Sequence, residues 1–474
     1  MLQNHSNLPA LISKYCGTAL VAAAALLLAE NASWSAGKKV EPAVRLLSSV
    51  PIPVSDGNTT NGMYSFDISF VDQVTGDYFL ADRSNKAVER VVAESIVTQI
   101  RPSGMHPAFA GFTPCGTGDG NPPNPGANDC AGPNGVVAAF PFLFVTDAPS
   151  RVLSFDLRTN PPTTVGDIQT MPGDPTRADE LAYDPKDGLI LAINNVQFPG
   201  HPPFGTLIKV DQTTGALSFV KNIPYTAANG VDAQNGAEQP VWNPGTKKFY
   251  NSIPQIGMSR TNGGVIRIST TGTIEKTFPI TFCSPAGLAL GPNQDLLVGC
   301  NTIWATDGSL WTGNADSNTH TAAPQLVILN AKTGGITANV LGAGVGDEVW
   351  FNKGDNHYYA AASGSNLAPN AITPARAPNG TATSAPVLTA QGAATLDVID
   401  ALSETLDQRV PTLNVPAVSA TSGDLNPHPA GTAHSVAADA FTDHVFVPIA
   451  ANNAVPNCLT GCVTIYGRDD SDTD

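Results

Sequence analysis

Acidic, amide and imidazole side chains stand at the head of several apolar hairpins in this chain. The clearest case is Glu238, which opens the segment "EQPVWNPGTKKFYNSI". The residues at the corresponding places of its relatives are Asp67, Asn134, Glu180, Pro285, Glu348 and His434. Carboxylate and amide oxygens are ligands of hard cations such as Ca²⁺, and an imidazole can transfer a proton or bind a metal. If the fold brings these side chains together, they form a candidate metal or acid–base site.

The hairpins belong to a repeat with seven copies. The copies begin at residues 67, 134, 180, 238, 285, 348 and 434. Each is a short apolar strand, a tight turn of Asp, Asn, Gly, Pro or Lys, and a second apolar strand. A third strand follows that ends in Asp, Asn or Ser before a turn, as in "TLIKVDQTTG", and then a fourth. The pattern predicts an all-β fold, a seven-bladed β-propeller of four antiparallel strands per blade.

The number of blades and the closure of the ring are separate predictions. The second copy is weak in turn signals, so six or eight blades remain alternatives. The last copy stops one strand short, after "VTIYGRDD", whereas "AVRLLSSVPIP" at 43–53 is a spare strand ahead of the first copy. We therefore expect this N-terminal strand to complete the last blade, within one propeller domain over residues 37–474.

In a propeller the first strand of each blade lines the central channel, so the leading residues should meet at one channel mouth. The ends of the second strands, Asp82, Asp147, Asn195 and Asn301, should lie on the same side. Like charges this close need a cation or protons. The predicted ligands of Ca²⁺ or another divalent cation are Glu238, Asn134, Glu180, Glu348 and Asp147. Glu180 and His434 are the catalytic candidates. The alternative is that these residues cap strand ends and bond to water.

The totals limit the class of protein and its partners. The chain has 474 residues, 42% of them apolar, with 44 Gly, 39 Pro and a net charge of −16. This composition indicates a folded protein with many short strands and turns. The negative charge disfavours nucleic acid and anionic membrane surfaces as partners. A small molecule or an exported protein at the channel mouth fits better.

The N-terminus predicts export. Lys14 precedes the apolar stretch "YCGTALVAAAALLLA", which small residues follow. The stretch is short for a membrane span and typical of a signal peptide, here residues 1–36 with cleavage between about 29 and 36. We expect a secreted or periplasmic protein with no membrane span after cleavage. A membrane-anchored protein is the alternative.

Six cysteines remain after such a cleavage, and they form three local pairs. The expected disulfides are Cys115–Cys130, Cys283–Cys300 and Cys458–Cys462. All three pairs map to the rim of the channel mouth, where the links between second and third strands are also long. The opposite rim carries only short hairpin turns. Long, braced loops on one side favour a functional rim.

Two hairpins resemble those of the gluconolactonase/senescence-marker propellers. "AEQPVWNPGTKKFYNSI" is similar to that family's Glu-x-Pro-Val-Trp strand and "GPNGVVAAFPFLFVTD" to its Pro-Asn-Gly strand, which implies metal-ligand roles for Glu238 and Asn134. "HSVAADAFTDHVFVPIA" is more similar to YVTN-type seven-bladed propellers. The family's strand with a catalytic Asp has no clear copy, since "SPAGLAL" places Ala286 there.

Two functions follow as hypotheses. In the first, the protein is a divalent-metal-dependent hydrolase of a lactone or ester, in which the ion polarises the carbonyl and a carboxylate or His434 transfers the proton. In the second, it is a non-catalytic propeller that binds a small molecule or an exported protein at the loop-rich face. The acidic ring favours the first and the missing catalytic Asp favours the second.

Overall fold

The structure of the protein is a computed structural model. It describes residues 42–112, 115, 128–196, 201–310, 326–344, 346–365, 371–373, 387–389, 393–419 and 427–468. Nearly all of them belong to the compact unit Val44–Asp474, and the predicted signal sequence lies outside the described residues. No helix in the described part has the length and apolar character needed to cross a bilayer.

Seven antiparallel sheets of four strands are arranged as the blades of a propeller. The strands of the first three blades are β2 (Phe66–Val71), β3 (Tyr78–Asp82), β4 (Ala87–Val92) and β5 (Ile96–Ile100); β6 (Val136–Ala139), β7 (Phe142–Asp147), β8 (Arg151–Asp156) and β9 (Thr163–Gln169); β10 (Leu181–Asp184), β11 (Leu189–Asn194), β12 (Phe204–Val210) and β13 (Leu217–Pro224). Those of the fourth and fifth are β14 (Pro240–Asn243), β15 (Lys248–Ile253), β16 (Asn262–Ile268) and β17 (Ile274–Thr281); β18 (Cys283–Leu290), β19 (Asp295–Ile303), β20 (Leu326–Asn330) and β21 (Ile336–Val340).

The last two blades differ from the others in their links and in their ends. The sixth contains β22 (Glu348–Asn352), β23 (His357–Ser365), β26 (Ala393–Asp400) and β27 (Thr405–Pro411), with a small sheet of β24 (Ala371–Thr373) and β25 (Val387–Thr389) in its long link. The seventh contains β28 (Ala437–Ala438), β29 (Val445–Ile449), β30 (Cys462–Gly467) and β1 (Arg45–Pro51). Two short 3₁₀ turns, Ala227–Asn229 and Pro292–Gln294, complete the described elements.

The N-terminal strand closes the ring, as predicted. Strand β1 pairs antiparallel with β30, from Arg45 opposite Gly467 to Pro51 opposite Cys462. It is the outermost strand of a sheet whose other members come from the end of the chain. The seven-bladed fold and its N-terminal closure are therefore confirmed. The inner strand of this blade is shorter than "HSVAADA" predicts, because β28 contains only two residues.

The apolar residues of the repeat fill seven clusters, each between two consecutive blades. Neighbouring residues on a second strand face opposite clusters: Phe79 packs towards the second blade and Leu80 towards the seventh. In the same way Val445 faces the sixth blade and Phe446 the first. Side chains alternate along a strand, so a strand buried on both faces is a continuous apolar run. This explains segments such as "FLFV" and "LILAI".

The short hairpin turns are fixed by side chains that bond to their own backbone. In five blades the residue that begins the first turn is Asp or Asn, and its side-chain oxygen accepts the N–H two residues later. These pairs are Asp72 with Val74, Asp184 with Lys186, Asn243 with Gly245, Asn352 with Gly354 and Asp439 with Phe441, at 2.8–3.0 Å. An Asx turn of this kind stabilises a tight connection without a partner from elsewhere. The turn residues in the sequence therefore have a direct structural cause.

All three expected disulfides are present. Their Cα–Cα distances are 5.1 Å for Cys115–Cys130, 5.2 Å for Cys283–Cys300 and 4.8 Å for Cys458–Cys462. These lie within the usual range of about 4.4–6.8 Å. Cys283–Cys300 joins β18 to β19, and Cys458–Cys462 braces the loop that leads into β30. The bridges therefore brace the loop-rich rim.

Removing a bridge should cost stability in proportion to the loop that it closes. We expect Cys283→Ala with Cys300→Ala to lower the free energy of unfolding by about 3 kcal/mol, because the bridge spans 17 residues and restricts the unfolded chain. The same double change at Cys458 and Cys462, which span only 4 residues, should cost about 2 kcal/mol. Denaturant unfolding of both variants under oxidising conditions measures the difference. A larger loss for the short bridge would contradict this entropic origin.

Candidate functional site

The loop-rich end of the central channel contains a polar cavity of about 250 Å³. Its wall carries nine acidic, basic or imidazole side chains from several blades. They are Asp67, Arg83, Arg177, Asp179, Glu180, Glu238, Asp347, Glu348 and His434. Leading residues of several blades belong to this wall because each inner strand begins at this rim. This cavity is the candidate functional site, and we call it the channel mouth.

Two arginines form the basic side of the channel mouth. Arg83 pairs with Asp67, and its Nε donates to Oδ1 of Asn134 at 2.9 Å. Arg177 lies 2.9 Å from an oxygen of Asp179 and 3.7 Å from Asp67. Burial raises the pKa of Asp67, but Arg83, His434 and Arg177 more than offset this effect and hold it well below its usual value. Asp67 is therefore ionised, and its negative charge is balanced by Arg83, Arg177 and His434.

The side-chain amide of Asn134 also has all its described hydrogen bonds within the protein. Besides accepting from Arg83, its amide nitrogen donates to the backbone oxygens of Ala131 at 3.0 Å and Ala178 at 2.9 Å. It lies outside the wall of the cavity and is completely buried. Its role in the structure is to fix Arg83 and the entry of the second blade.

Three glutamates form the acidic side of the channel mouth. Burial is the main reason why the pKa values of Glu180, Glu238 and Glu348 lie well above the usual value. Neighbouring acids raise them further: Glu348 acts on Glu180, Asp179 on Glu238, and Asp347 on Glu348. In the described residues none of the three forms an ion pair with Lys, Arg or His. These carboxyl groups are therefore either protonated or available to pair with a cation.

Two charged residues of the wall carry a buried polar atom without a hydrogen-bond partner: Arg177, at its Nε, and Glu180. The side chain of Glu180 is among the buried ones, with 5% exposure, and its Oε2 has no hydrogen-bond partner. Glu348 is equally buried, but its Oε2 accepts from Nε2 of Gln239 at 3.2 Å. A buried acceptor without a donor costs about 1–3 kcal/mol. Oε2 of Glu180 is enclosed by the protein, although the residue itself lines the cavity.

His434 lies in the wall as predicted. Its Nε2 is 3.4 Å from Oδ1 of Asp67, its Nδ1 is 2.9 Å from Oγ1 of Thr432, and its ring stacks on Phe66. Burial lowers its pKa, but the hydrogen bond to Asp67 and the charge of Asp347 raise it above the ordinary value. An imidazole that keeps its proton is a hydrogen-bond donor, which suits it less to the role of a general base.

The structure brings together only part of the predicted set. Glu180, Glu238, Glu348 and His434 line one cavity, together with Asp67 and Asn301. Asp147, Asn195 and Pro285 are not in its wall. Asp147 is completely buried, and it accepts from Arg151 at 3.2 Å and from the backbone N–H of Ala110 at 3.2 Å. Burial raises the pKa of Asp147 to about 7 in spite of these bonds.

The predicted calcium site does not fit the described donors. In the described part of the chain, no group of three or more His, Cys, Asp or Glu is disposed to hold a metal ion. Asn134 and Asp147, two of the five predicted ligands, are occupied by arginines. The metal stays a prediction, without a coordinating set in this geometry.

Sequence reasoning missed four charged residues of the channel mouth. Arg83 directly follows the end of a second strand, and Arg177 and Asp179 stand in "TRADE" ahead of Glu180. Asp347 directly precedes Glu348. The signal was available, because the residues just before a leading acid are also charged in two blades.

Comparisons with known proteins identify no family for this chain. No family model matches the chain, and no curated protein matches it. One similar solved chain is from a crystal structure of the mitotic checkpoint complex, with a TM-score of 0.48, 10% identity, and coverage of 90% of this chain and 95% of that one. Another is the WD40 β-propeller domain of Doa1, with a TM-score of 0.44, 12% identity, and coverage of 90% and 98%. The lactonase resemblance is not confirmed.

Proposed function

We propose that the protein is a binding propeller whose channel mouth takes a small organic cation, a primary ammonium or a guanidinium, without catalysing a reaction on it. Arg177 lowers the pKa of Glu238 as a nearby charge, but none of the three glutamates of this cavity, Glu180, Glu238 and Glu348, has a cationic ion-pair partner in the described residues, and this observation carries the proposal. The two arginines of the cavity do not supply such a partner, because they are paired with Asp67 and Asp179.

An organic cation suits this arrangement better than a metal ion. Calcium needs six to eight oxygens at about 2.3–2.6 Å from one point, whereas an ammonium donates three separate hydrogen bonds of about 2.7–3.2 Å. The second requirement tolerates carboxylates that are spread around a wall. A cavity of about 250 Å³ with Glu180 Oε2 unpartnered is compatible with a ligand of a few carbon atoms.

The exported setting is part of the same proposal. Three disulfides are stable where the environment is oxidising, and the N-terminal stretch has the composition of a signal sequence. A secreted or periplasmic binding protein meets small cationic metabolites directly. Cleavage of the leader is checked by N-terminal sequencing of the exported protein.

Calorimetric titration with 1,5-diaminopentane tests the binding. We expect Glu238→Gln to weaken this ligand by roughly tenfold to a hundredfold, because it removes one charge-assisted acceptor. Glu275→Gln is the matched control, since Glu275 is on the outer surface and pairs with Lys248 and Arg267. Binding should strengthen with rising pH and release protons, because the cation favours the ionised form of carboxyls whose pKa is raised.

Other ligands decide between this function and the alternatives. Pentanedioate has the same length and the opposite charge, and it should not bind. Failure of the diamine to bind, or equal affinity in both glutamate variants, would overturn the proposal. Stoichiometric calcium binding that Glu238→Gln abolishes, together with ester hydrolysis that His434→Gln abolishes, would instead establish the hydrolase hypothesis.

A further inference from the structure

A second and larger cavity lies at the opposite end of the channel, beside the short hairpin turns. Its volume is about 440 Å³, which is within the range of roughly 300–1,000 Å³ found for ligand pockets. Five aromatic side chains from four of the inner strands contribute to its wall, namely Phe70, Tyr183, Trp242, Trp350 and Phe351. We call it the hairpin-side cavity. Sequence analysis gave this rim no function, because its turns are short.

The aromatic rings are held in place by packing behind them. Trp350 contacts Phe70 edge to face, with ring centroids 5.1 Å apart. Trp242 packs on Phe249 with centroids 4.7 Å apart, and Tyr183 packs on Phe144 at 4.9 Å. Each of these wall residues is only half-buried, so part of its ring faces the cavity. A ligand would therefore meet rings that are already fixed, which lowers the entropic cost of binding.

The amide side chains in the wall are already satisfied by the protein. Gln239 accepts from the N–H of Leu288 at 2.6 Å and donates to Glu348. Gln73 donates to the backbone oxygen of Ala438 at 2.8 Å and accepts from the N–H of Ala440 at 3.0 Å. Gln73 also closes the wall towards the seventh blade, whose short inner strand supplies no wall residue. These amides leave the cavity mainly an apolar surface.

Glu180 is the exception. It lines this cavity as well as the channel mouth, and its Oε2 is the unpartnered buried oxygen described above. An apolar wall with fixed rings and one carboxyl that lacks a donor defines a narrow class of ligand. The rings favour a flat apolar body, the ring faces attract a cation, and the carboxyl accepts from a nitrogen.

We propose that the hairpin-side cavity is a second ligand site, which binds an aromatic amine with its rings among Trp242, Trp350 and Tyr183 and its ammonium towards Glu180. The site differs from the channel mouth in ligand class, since the mouth takes a cation that needs no aromatic body. A neutral hydrocarbon of the same size loses the carboxylate and the cation–π contacts. An aromatic acid brings no ammonium to Glu180, and its negative charge opposes ionisation of that carboxyl.

The probe for this site is 1-naphthylmethylamine, and the measurement is calorimetric titration of the full protein. We expect it to bind at least tenfold more tightly than 1-methylnaphthalene or 1-naphthoate, the neutral and anionic counterparts. Trp242→Leu removes one ring and should weaken the amine roughly tenfold. Ala289→Phe fills the wall of the cavity and should abolish binding. The control is Trp304→Leu, because Trp304 lies at the loop-rich rim and bonds to Ser284 at 3.0 Å.

The outcomes separate this inference from the proposed function. Binding of 1,5-diaminopentane at the channel mouth does not involve the aromatic rings. If this diamine fails to bind, the result with 1-naphthylmethylamine is still valid, and if 1-naphthylmethylamine fails to bind, the result with the diamine is still valid. All variants are first compared by circular dichroism and melting temperature, and both cavity variants are used so that one misfolded protein does not decide the result. Equal affinity for the amine and the neutral ring would overturn the proposal. Unchanged affinity in Trp242→Leu and Ala289→Phe would do so as well.

Discussion

A chain that lacks residues 1–53 will not fold into a stable monomer, whereas a chain that lacks residues 1–41 will melt like the full protein. The first deletion removes β1, the outermost strand of the seventh blade, and the second removes only the segment ahead of it. The ring is closed by this one strand, because the other strands of the seventh blade come from the end of the chain.

The loss should be as large as the whole stability of a typical domain. The segment buries Val44, Val50 and Ile52 to 3% exposure or less, each contributing about 1.5–3 kcal/mol. The ladder with β30 and the bonds between Val44 and Gln408, at 2.8 and 2.7 Å, add roughly 0.5–1.5 kcal/mol for each hydrogen bond. The sum is on the order of 10 kcal/mol, similar to a usual net stability of about 5–15 kcal/mol.

Differential scanning calorimetry and size-exclusion chromatography measure the effect. The deletion also exposes the edge of β30, and an unpaired strand edge promotes association with other chains. A synthetic peptide with the sequence of residues 43–53, "AVRLLSSVPIP", should restore a cooperative transition when it is added in trans, and a scrambled peptide should not. A cooperative transition of unchanged midpoint in the truncated chain would show that β1 is not needed for closure.

The architecture was predictable because each of its causes is local. The Asx turns need only a residue such as Asp184 or Asn243 and the backbone two positions later. The packing between blades needs only alternation, as for Phe79 and Leu80, which face opposite neighbours. The alternation is found in every blade and the Asx turn in five of the seven, and repetition makes a weak pattern recognisable. Even the closure followed from a count of strands.

The chemistry of the channel was less predictable because it depends on which partner each side chain meets, in another blade or in its own. Asn134 was expected to bind a metal, but it accepts from Arg83, a residue of another blade that is 51 positions away. Asp147 was expected at the mouth, but it is held by Arg151 four residues later, inside its own blade. A position at the end of a strand gives the rim that a side chain occupies. The residue with which that side chain pairs depends on how the blade is oriented relative to its neighbours. The sequence of one hairpin does not specify that orientation.

The hairpin-side cavity escaped sequence analysis for a related reason. Trp242, Tyr183 and Phe351 each stand just before the Asx residue of a turn, where an apolar residue reads as ordinary core. The structure shows that these rings line a common space as well as packing against the clusters between blades. The large size of these residues is a sequence signal for a cavity, because side chains that only fill the core beside a narrow channel can be small.

The second large effect is on stability as a function of pH: the free energy of unfolding should fall as the pH rises from about 5 to about 8. Buried acids outside the channel mouth are responsible, and the clearest are Asp82 and Glu89 in the first blade, both 0% exposed. Burial raises the pKa of Asp82 to about 7 and that of Glu89 well above its usual value, and the charge of Asp82 raises the latter further. Burial also raises the pKa of Asp397 to about 6.

The sign follows from the protons that each state holds. Between the unfolded pKa of 3.8 and the folded value of about 7, Asp82 keeps its proton in the folded protein and loses it in the unfolded chain. Its contribution is therefore fully present below about pH 4 and lost as the pH rises through 7, by up to about 1.4 kcal/mol per pH unit. Acids with a lowered pKa, such as Asp67 and Asp167, act in the opposite direction and limit stability at lower pH.

Glu89→Gln isolates this effect. Oε1 of Glu89 accepts from Asn85 at 3.1 Å and Gln99 at 2.8 Å, bonds that an amide oxygen can keep, while its Oε2 has no donor of its own. The variant should therefore reduce the slope of unfolding free energy against pH between about 5 and 8 by up to about 1.4 kcal/mol per pH unit, and it should be more stable than the natural protein at the upper end. Glu275→Gln, at an exposed acid whose pKa the hydrogen bond from Lys248 lowers, should not reduce that slope. Urea titrations across this pH range measure all three proteins, and parallel curves for Glu89→Gln and the natural protein would mean that the buried pair does not hold a proton.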